Sequence, residues 1–181
     1  MNNNVSASLP KIRESWVFFN EGYKFEIRRK AFRNHRRFHL EDHYFEASLK
    51  LLDDKKAPKL INVLEDIRSG LVQLIRNLQD LYKTSNRESQ IYLFFDEEES
   101  HSFVGVATGN YRLFSANPSV SDHLQAEKIA INGLGLLRSV LQSHQKISLT
   151  KSFVIKVTVL HKRHLDYKRK IGTLKDPVYV D

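Results

Sequence analysis

The chain of 181 residues contains no cysteine. Without thiols it cannot form disulfides, zinc–thiolate sites or iron–sulfur clusters, and this absence is typical of proteins kept in a reducing compartment. No apolar run reaches the roughly 18 to 20 residues that a membrane-spanning helix needs, and the first residues contain no apolar signal-peptide core. We therefore expect an intracellular protein, nuclear or cytoplasmic, with no membrane partner.

The sequence also has few of the motifs that mark enzymes. Its 7 glycines form no phosphate-binding loop, because those of GVATG and GLG lack the following lysine and the strand-to-helix setting. Ser115, Ser119 and Ser121 lie in loop sequence without a nucleophile-elbow motif. We assign no catalytic residue and expect no cofactor.

Positive charge is what the sequence has in excess. Net charge is +8 at pH 7, but two segments far apart in the sequence together carry +13, so the rest of the chain is net −5. Residues 24–37 carry seven basic side chains against one acidic, and residues 151–175 carry eight against one. Such concentrated charge predicts a polyanionic partner, nucleic acid first and DNA before RNA.

The basic side chains expected to contact phosphate are Arg28, Arg29, Lys30, Arg33, Arg36 and Arg37 in the first segment, and Lys162, Arg163, Lys168, Arg169 and Lys170 in the second. An alternative is that both segments are solvated faces. Both also have the composition of nuclear-import signals.

Apolar periodicity predicts the elements of the first half. Alternation in GYKFEIRRKAF predicts a strand with Tyr23 and Phe25 in the core, which ends or bulges near Arg29. Leucine and isoleucine at spacings of four and three predict a core-facing helix from about Leu60 to Tyr82, in which Gly70 marks close packing. FHLEDHYFEASLKLL, between them, is interpreted as a short helix or an irregular connection.

The second half begins with IYLFF, which predicts a short buried strand. HSFVGVA and YRLFS, on either side of TGN, predict a hairpin. Helical sequence is expected over residues 122–144, where Gly133 and Gly135 indicate either a kink or two shorter helices. Its expected inner residues are Leu124, Ile131, Leu134, Leu137, Val140 and Leu141. Alternation in FVIKVTVL, from Phe153, predicts a half-buried strand.

This order, β–α–β–β–α–β, predicts a single α+β domain with a mixed β-sheet and two main helices. The domain is expected over residues 16–165. Residues 1–15 are expected to form a mobile tail, and residues 166–181 a basic tail.

Two histidine groups have spacings seen in metal sites. His35, His39 and His43 would share one face of a helix, but Arg36 and Arg37 among them would repel a cation. Exposed histidines, or histidines that assist a phosphate contact, are the preferred interpretation. His161 and His164 have zinc-like spacing but no second ligand pair.

An acidic run follows the IYLFF strand. Nucleases often hold magnesium with carboxylates at a strand end, which makes Asp96, Glu97, Glu98 and Glu99 the best enzyme signal in the sequence. Two-metal sites draw carboxylates from separate segments, and no second strand here ends in one. A solvated turn is the simpler interpretation, and we assign no metal ligand.

Four segments together resemble a domain of Maverick-type large DNA transposons and related viruses: YKFEIRRKAFR, LINVLEDIRSGLVQLIRNLQDLY, IYLFF and LLRSVLQSHQKISLTKSFVIKVTVLH. The resemblance covers most of residues 23–161. It implies an amino-terminal module of replication-associated polyproteins that binds nucleic acid or docks replication proteins. Its motifs are packing patterns, so it implies no catalytic residue.

Three hypotheses follow. The first is a non-enzymatic nucleic-acid-binding module associated with mobile-element or viral DNA replication. The second is a protein-interaction module, with a possible homodimer seam along the apolar stripe of residues 60–81. The third is a metal-dependent nuclease that uses Asp96 and its neighbours.

Overall fold

The computed structural model describes residues 13–56, 58–83, 88–96, 106–107, 111–143 and 152–161. The strands in order are β1 (Ser15–Asn20), β2 (Tyr23–His35), β3 (Leu40–Leu51), β4 (Gln90–Asp96), β5 (Val106–Ala107), β6 (Tyr111–Arg112) and β7 (Phe153–Leu160). The helices are α1 (Leu60–Tyr82) and α2 (Asp122–Ser143), and a short 3₁₀ turn (Arg36–Phe38) joins β2 to β3. The predicted α+β class with two main helices is confirmed.

The strands form one sheet in the order β1-β2-β3-β7-β4-β5, and β6 also pairs with β4. The sheet was expected to be mixed, but every described pairing is antiparallel. The reason is that each helix connects two strands that are not neighbours. Helix α1 joins β3 to β4 across β7, and α2 joins β6 to β7 across β4.

Strand β7 lies in the middle of the sheet, between β3 and β4. It was expected to be half buried, but all eight of its residues are buried. Ile155 and Val157 belong to the main core with the helices, whereas Val154 packs beside Tyr44 and Phe94 in a smaller cluster on the opposite face. A central strand covered on both faces reads as a nearly continuous apolar run.

The β2–β3 hairpin is longer than the sequence indicated. The bulge predicted near Arg29 is confirmed between Arg29 and Ala31, and β2 continues beyond it to His35. The next segment is a strand of 12 residues, β3, rather than a helix or an irregular connection. Its alternation is hard to see because Tyr44 is buried on the outer face while polar residues occupy part of the inner face.

Helix α1 has the predicted bounds, and its apolar stripe packs inside the chain. The buried stripe residues are Leu64, Ile67, Leu71, Leu74 and Leu78, whereas Leu60 is 58% exposed. The core-facing interpretation is therefore confirmed. In the folded chain these five side chains have no surface left to offer to a second copy.

Helix α2 is continuous from Asp122 to Ser143 and is not divided into two helices at its glycines. Its expected inner face is confirmed at Leu137, which is buried, and at Leu134 and Leu141, which pack against the core, but Leu124 and Ile131 are 56% and 55% exposed and do not belong to it. The side chain of Val140 lies outside the described part of the chain. The buried face is made largely of small residues, which let α2 pack closely against α1. These buried residues are Ala126, Ile129, Ala130, Gly133 and Leu137.

Instead of the hairpin expected around TGN, the structure has two short strands, β5 and β6, one after the other along β4. Both β5 and β6 pair antiparallel with β4, so they run in the same direction along its outer edge. Their registers against β4 differ by one residue, as across a bulge. Residues 108–110, which include the expected turn, lie outside the described part of the chain. No helix among the described residues is long and apolar enough to span a membrane.

Two glycine substitutions test the packing of the helices. A Cβ on Gly70 would lie 2.4 Å from Ile27 Cδ1, which is fully buried between α1 and β2. Gly70→Ala should therefore lower the free energy of unfolding by about 1–2 kcal/mol despite the better helix propensity of alanine. Thermal or urea unfolding measures this, and Ile27→Val in the same chain should recover part of the loss because it removes Cδ1.

Gly135→Ala is the matched control. A Cβ there meets no atom within 4 Å, so only helix propensity changes, and stability should rise by up to about 1 kcal/mol. If both alanine variants were equally stable, α1 would not pack on β2 at the distance described.

Candidate functional site

The register of the sheet brings distant segments to one end. A single row across the sheet pairs His35 with Leu40, Leu40 with Leu160, Leu160 with Gln90, and Gln90 with Arg112. We call this end of the sheet the basic end. It consists of the turn of residues 36–39, Arg112 and His161. The segments it joins are up to 126 positions apart in the sequence, from His35 to His161.

The predicted basic residues of the first segment divide between two faces. Arg28, Lys30 and Arg33 lie on the face away from the helices. Arg28 and Lys30 approach Glu46 at 3.6 Å and 3.7 Å, and the Arg33 guanidinium lies 5.7 Å from the centre of the Tyr44 ring. Their positive charge is therefore partly offset along the strand.

Arg36 and Arg37 are exposed in the turn of the hairpin. Arg29 differs from the rest of the group, since it pairs opposite Phe45 on the helix side and is only partly exposed. The strongest exposed charge of the first segment is consequently at the basic end.

The part of the second basic segment that follows β7 starts at this same end. The backbone N–H of His161 donates to the carbonyl of His39 at 2.9 Å, so β7 ends beside the hairpin turn. Its predicted phosphate contacts lie outside the described residues: Lys162, Arg163, Lys168, Arg169 and Lys170. The turn of the first basic segment is thus adjacent to His161, the residue after β7 in the second basic segment.

A polar network under the basic end fixes His161. Its Nε2 lies 2.7 Å from Glu41 Oε2, and its Nδ1 lies 2.9 Å from Ser89 Oγ. A carboxylate only accepts, so Nε2 carries the proton that is donated to Glu41, while Nδ1 and the Ser89 hydroxyl form the second hydrogen bond. The side chain of His161 therefore bridges β3 to the start of β4.

The last residue of α1 extends this network. Tyr82 Oη lies 2.7 Å from His43 Nε2, and Tyr82 also hydrogen-bonds to Glu41. If the hydroxyl donates to the carboxylate, His43 must donate to the hydroxyl through Nε2–H. His43 Nδ1 is then an acceptor without a partner, buried near the Phe32 ring at a centroid distance of 5.0 Å.

Burial and these bonds set the protonation states. Burial alone would raise the pKa of Glu41, but its hydrogen bonds with His161 and Tyr82 outweigh it and hold that pKa below its ordinary value. Burial is the main cause that raises the pKa of Tyr82, and the negative charge of Glu41 is the second. Burial and the nearby Arg29 lower the pKa of His43 to about 4. The network at neutral pH therefore holds one anion, Glu41, and a neutral His43.

The order Ser89–His161–Glu41 has the connectivity of a nucleophile, a base and an orienting acid. Ser89 is 0% exposed, however, and a nucleophile must reach its substrate. Both nitrogens of His161 are also occupied within the network. The arrangement acts as a structural clamp between β3, β4 and β7 rather than as a hydrolytic site.

A second set of buried polar groups lies on the opposite face of the sheet. The Nζ of Lys156 lies 4.0 Å from the centre of the Phe94 ring, and burial lowers the pKa of this lysine to about 7. Asp42 accepts from Thr158 Oγ1 at 2.5 Å and contacts His35 Nε2 at 3.0 Å. The sequence had marked His35 only as one of three spaced histidines.

The structure corrects the interpretation of those histidines. His35 points to the outer face with Asp42, whereas His43 lies in the core beside Tyr82. They do not share a helix, because the segment is a hairpin, and His43 is 0% exposed rather than solvent-facing. Within the described ranges no group of three histidine, aspartate or glutamate side chains could hold a metal ion.

The acidic run is only partly described. Asp96 ends β4, as predicted, and Glu97, Glu98 and Glu99 lie outside the described residues, as does His164.

Sequence reasoning missed most of the network. Glu41 and His43 occupy the inward phase of β3 set by Phe45 and Ala47. That phase would have placed both in the interior if the segment had been recognised as a strand. Tyr82 and Ser89 carry no local signal, since only the tertiary fold brings them to His161.

No protein-family model, curated protein sequence or solved structure matches this chain. Function is therefore inferred from its residues and their arrangement.

The buried histidine should make stability depend on pH. The pKa of His43 falls from an ordinary 6.5 to about 4 in the folded chain, so protonation favours the unfolded chain. The contribution of neutral His43 to the free energy of unfolding is fully present above about pH 6.5 and is lost as the pH falls towards 4. At pH 5 the free energy of unfolding should be lower by about 2 kcal/mol because of this group. Urea unfolding at pH 7.5 and pH 5 measures the difference.

His43→Gln should remove most of that dependence, because glutamine does not titrate. His123→Gln, at an exposed position on α2, is the control and should leave the pH dependence unchanged. An unaltered profile in His43→Gln would show that this histidine is not buried in a neutral state.

Proposed function

We propose that the chain is a nucleic-acid-binding module and that the basic end is its phosphate-binding surface. The observation that carries the proposal is the register row from His35 to Arg112, which brings the exposed arginines of the hairpin turn, Arg112 and the end of β7 to one end of the sheet. Clustered Arg and Lys on one surface are the electrostatic footprint of nucleic-acid binding.

The contacts expected from this surface are with the sugar–phosphate backbone. Arg36 and Arg37 are presented by a turn rather than by a helix that could enter a groove, and phosphate contacts position a protein without reading sequence. The binding should therefore depend steeply on salt and little on base sequence. A place in mobile-element or viral DNA replication is supported by the sequence resemblance.

Binding rather than catalysis is the function that the described residues favour. The arrangement nearest to a catalytic one, around His161, has its hydroxyl fully buried. Arg29, which faces the helices, is assigned to support the network from the core side, and Arg33, Arg36 and Arg37 are assigned to phosphate.

Fluorescence anisotropy with single-stranded DNA, duplex DNA and RNA across a salt series tests the proposal. The triple variant Arg33→Gln, Arg36→Gln, Arg37→Gln should bind more weakly. The slope of log affinity against log salt on a single strand should also fall by about 2, because three phosphate contacts are lost.

A charge-matched variant controls for the loss of net charge. Lys50→Gln, Lys55→Gln, Lys59→Gln also removes three positive charges, but these exposed lysines lie at the opposite end of β3 and in the segment between β3 and α1. It should keep the wild-type salt slope. Equal losses in the two triple variants would mean that net charge, and not the basic end, governs binding; no binding by the wild-type chain would remove the proposal.

A further inference from the structure

A groove of about 540 Å³ lies between β6 and the start of α2. Tyr111, Val120 and Leu124 give it apolar walls, Arg112 and Lys128 give it positive charge, and Asn117 gives it an amide. No acidic side chain is among its described lining residues. The groove is open to solvent and combines apolar side chains with polar and basic ones, which is the combination that a ligand with a flat apolar part and an anionic part requires.

The groove is held by hydrogen bonds of the surrounding loop. Gln125 Nε2 donates to the carbonyl of Arg112 at 2.7 Å and so ties α2 to β6. Asn117 Oδ1 accepts from the backbone N–H and the hydroxyl of Ser119 at 3.0 Å and 2.8 Å. Because both bonds use the oxygen, the amide N–H₂ of Asn117 is the donor that remains for a ligand.

The chemistry of the lining selects the ligand. Tyr111 packs against the core yet stays partly exposed and lines the groove, so it is the aromatic residue on which a planar group in the groove would stack. Arg112 and Lys128 are both exposed and positive, which favours an anion beside that planar group. A nucleotide has both parts, a flat base and a phosphate.

The groove is also placed in line with the basic end. Arg112 stands in the same row as His35, and four strand spacings of about 4.8 Å separate them by roughly 19 Å. A strand of nucleic acid held at the hairpin turn can therefore continue towards the groove along this edge.

We propose that the groove takes one unpaired nucleotide of a single strand, with its base stacked on Tyr111 and its phosphates near Arg112 and Lys128. The inference rests on the proposed nucleic-acid binding and adds a preference for single strands. A base in a duplex is already stacked and paired, so it would have to be unstacked before it could enter.

Substitution of Tyr111 separates stacking from charge. Tyr111→Leu keeps apolar bulk against the core but removes the ring, and we expect about tenfold weaker binding of a single-stranded oligonucleotide in anisotropy. Binding of the matching duplex should stay within about twofold, and Tyr111→Phe should bind like wild type because it keeps the ring. Lys128→Gln should instead lower the salt slope by about 1.

Photo-crosslinking of the wild-type chain makes the test independent of any folding defect in a variant. A single strand carrying 5-iodouracil should crosslink, on irradiation, to a peptide that contains Tyr111. Crosslinks confined to other peptides would overturn the inference.

The two proposals fail differently. If the wild-type chain binds neither strand form, the nucleic-acid proposal itself is wrong. If it binds, but folded Tyr111→Leu and wild type bind the single strand equally, the groove is not a nucleotide site while the basic end stands.

Discussion

The register of β7 is the constraint on which the rest of the structure depends. Leu160 pairs with Leu40 on one side and with Gln90 on the other, and this row fixes which end of the sheet receives His161. A shift of one residue would turn every β7 side chain to the opposite face. Lys156 would then enter the core beneath the helices, and Ile155 and Val157 would leave it. The alternation of this strand therefore determines both the core and the position of the second basic segment.

Because the strand register brings their side chains together, the polar groups of the network hold the basic end in place. Glu41, Ser89 and His161 join three strands at the point where the charged surface begins, and Tyr82 brings in the end of α1. Burying these groups is costly unless they are hydrogen-bonded to one another. Burial, together with the nearby charge of Arg29, lowers the pKa of His43 and keeps it neutral, with one nitrogen unsatisfied. This end of the sheet thus gives up some stability to hold polar groups that position the surface above it.

The sequence predicted a helix or strand correctly where the apolar residues of that segment repeat with a single regular spacing. The bounds of α1 and the bulge in β2 followed from regular apolar spacing, and both are confirmed. Strand β3 was missed because Glu41 and His43 occupy inward positions, where the alternation predicts apolar residues. The buried positions Ala126, Ala130 and Gly133 on the inner face of α2 were missed because small residues give a weak apolar signal although they permit close packing. The groove lies between β6 and α2, so the sequence pattern of neither element by itself could predict it.

The measurement that tests this account most directly is the register of β7 by cross-strand nuclear Overhauser effects. The account predicts backbone contacts that place Leu160 opposite both Leu40 and Gln90, and Lys156 opposite both Tyr44 and Phe94. Contacts shifted by one residue on β7 would contradict it. Such a shift would expose the present core face of the strand, break the Glu41–His161–Ser89 clamp and separate the second basic segment from the hairpin turn.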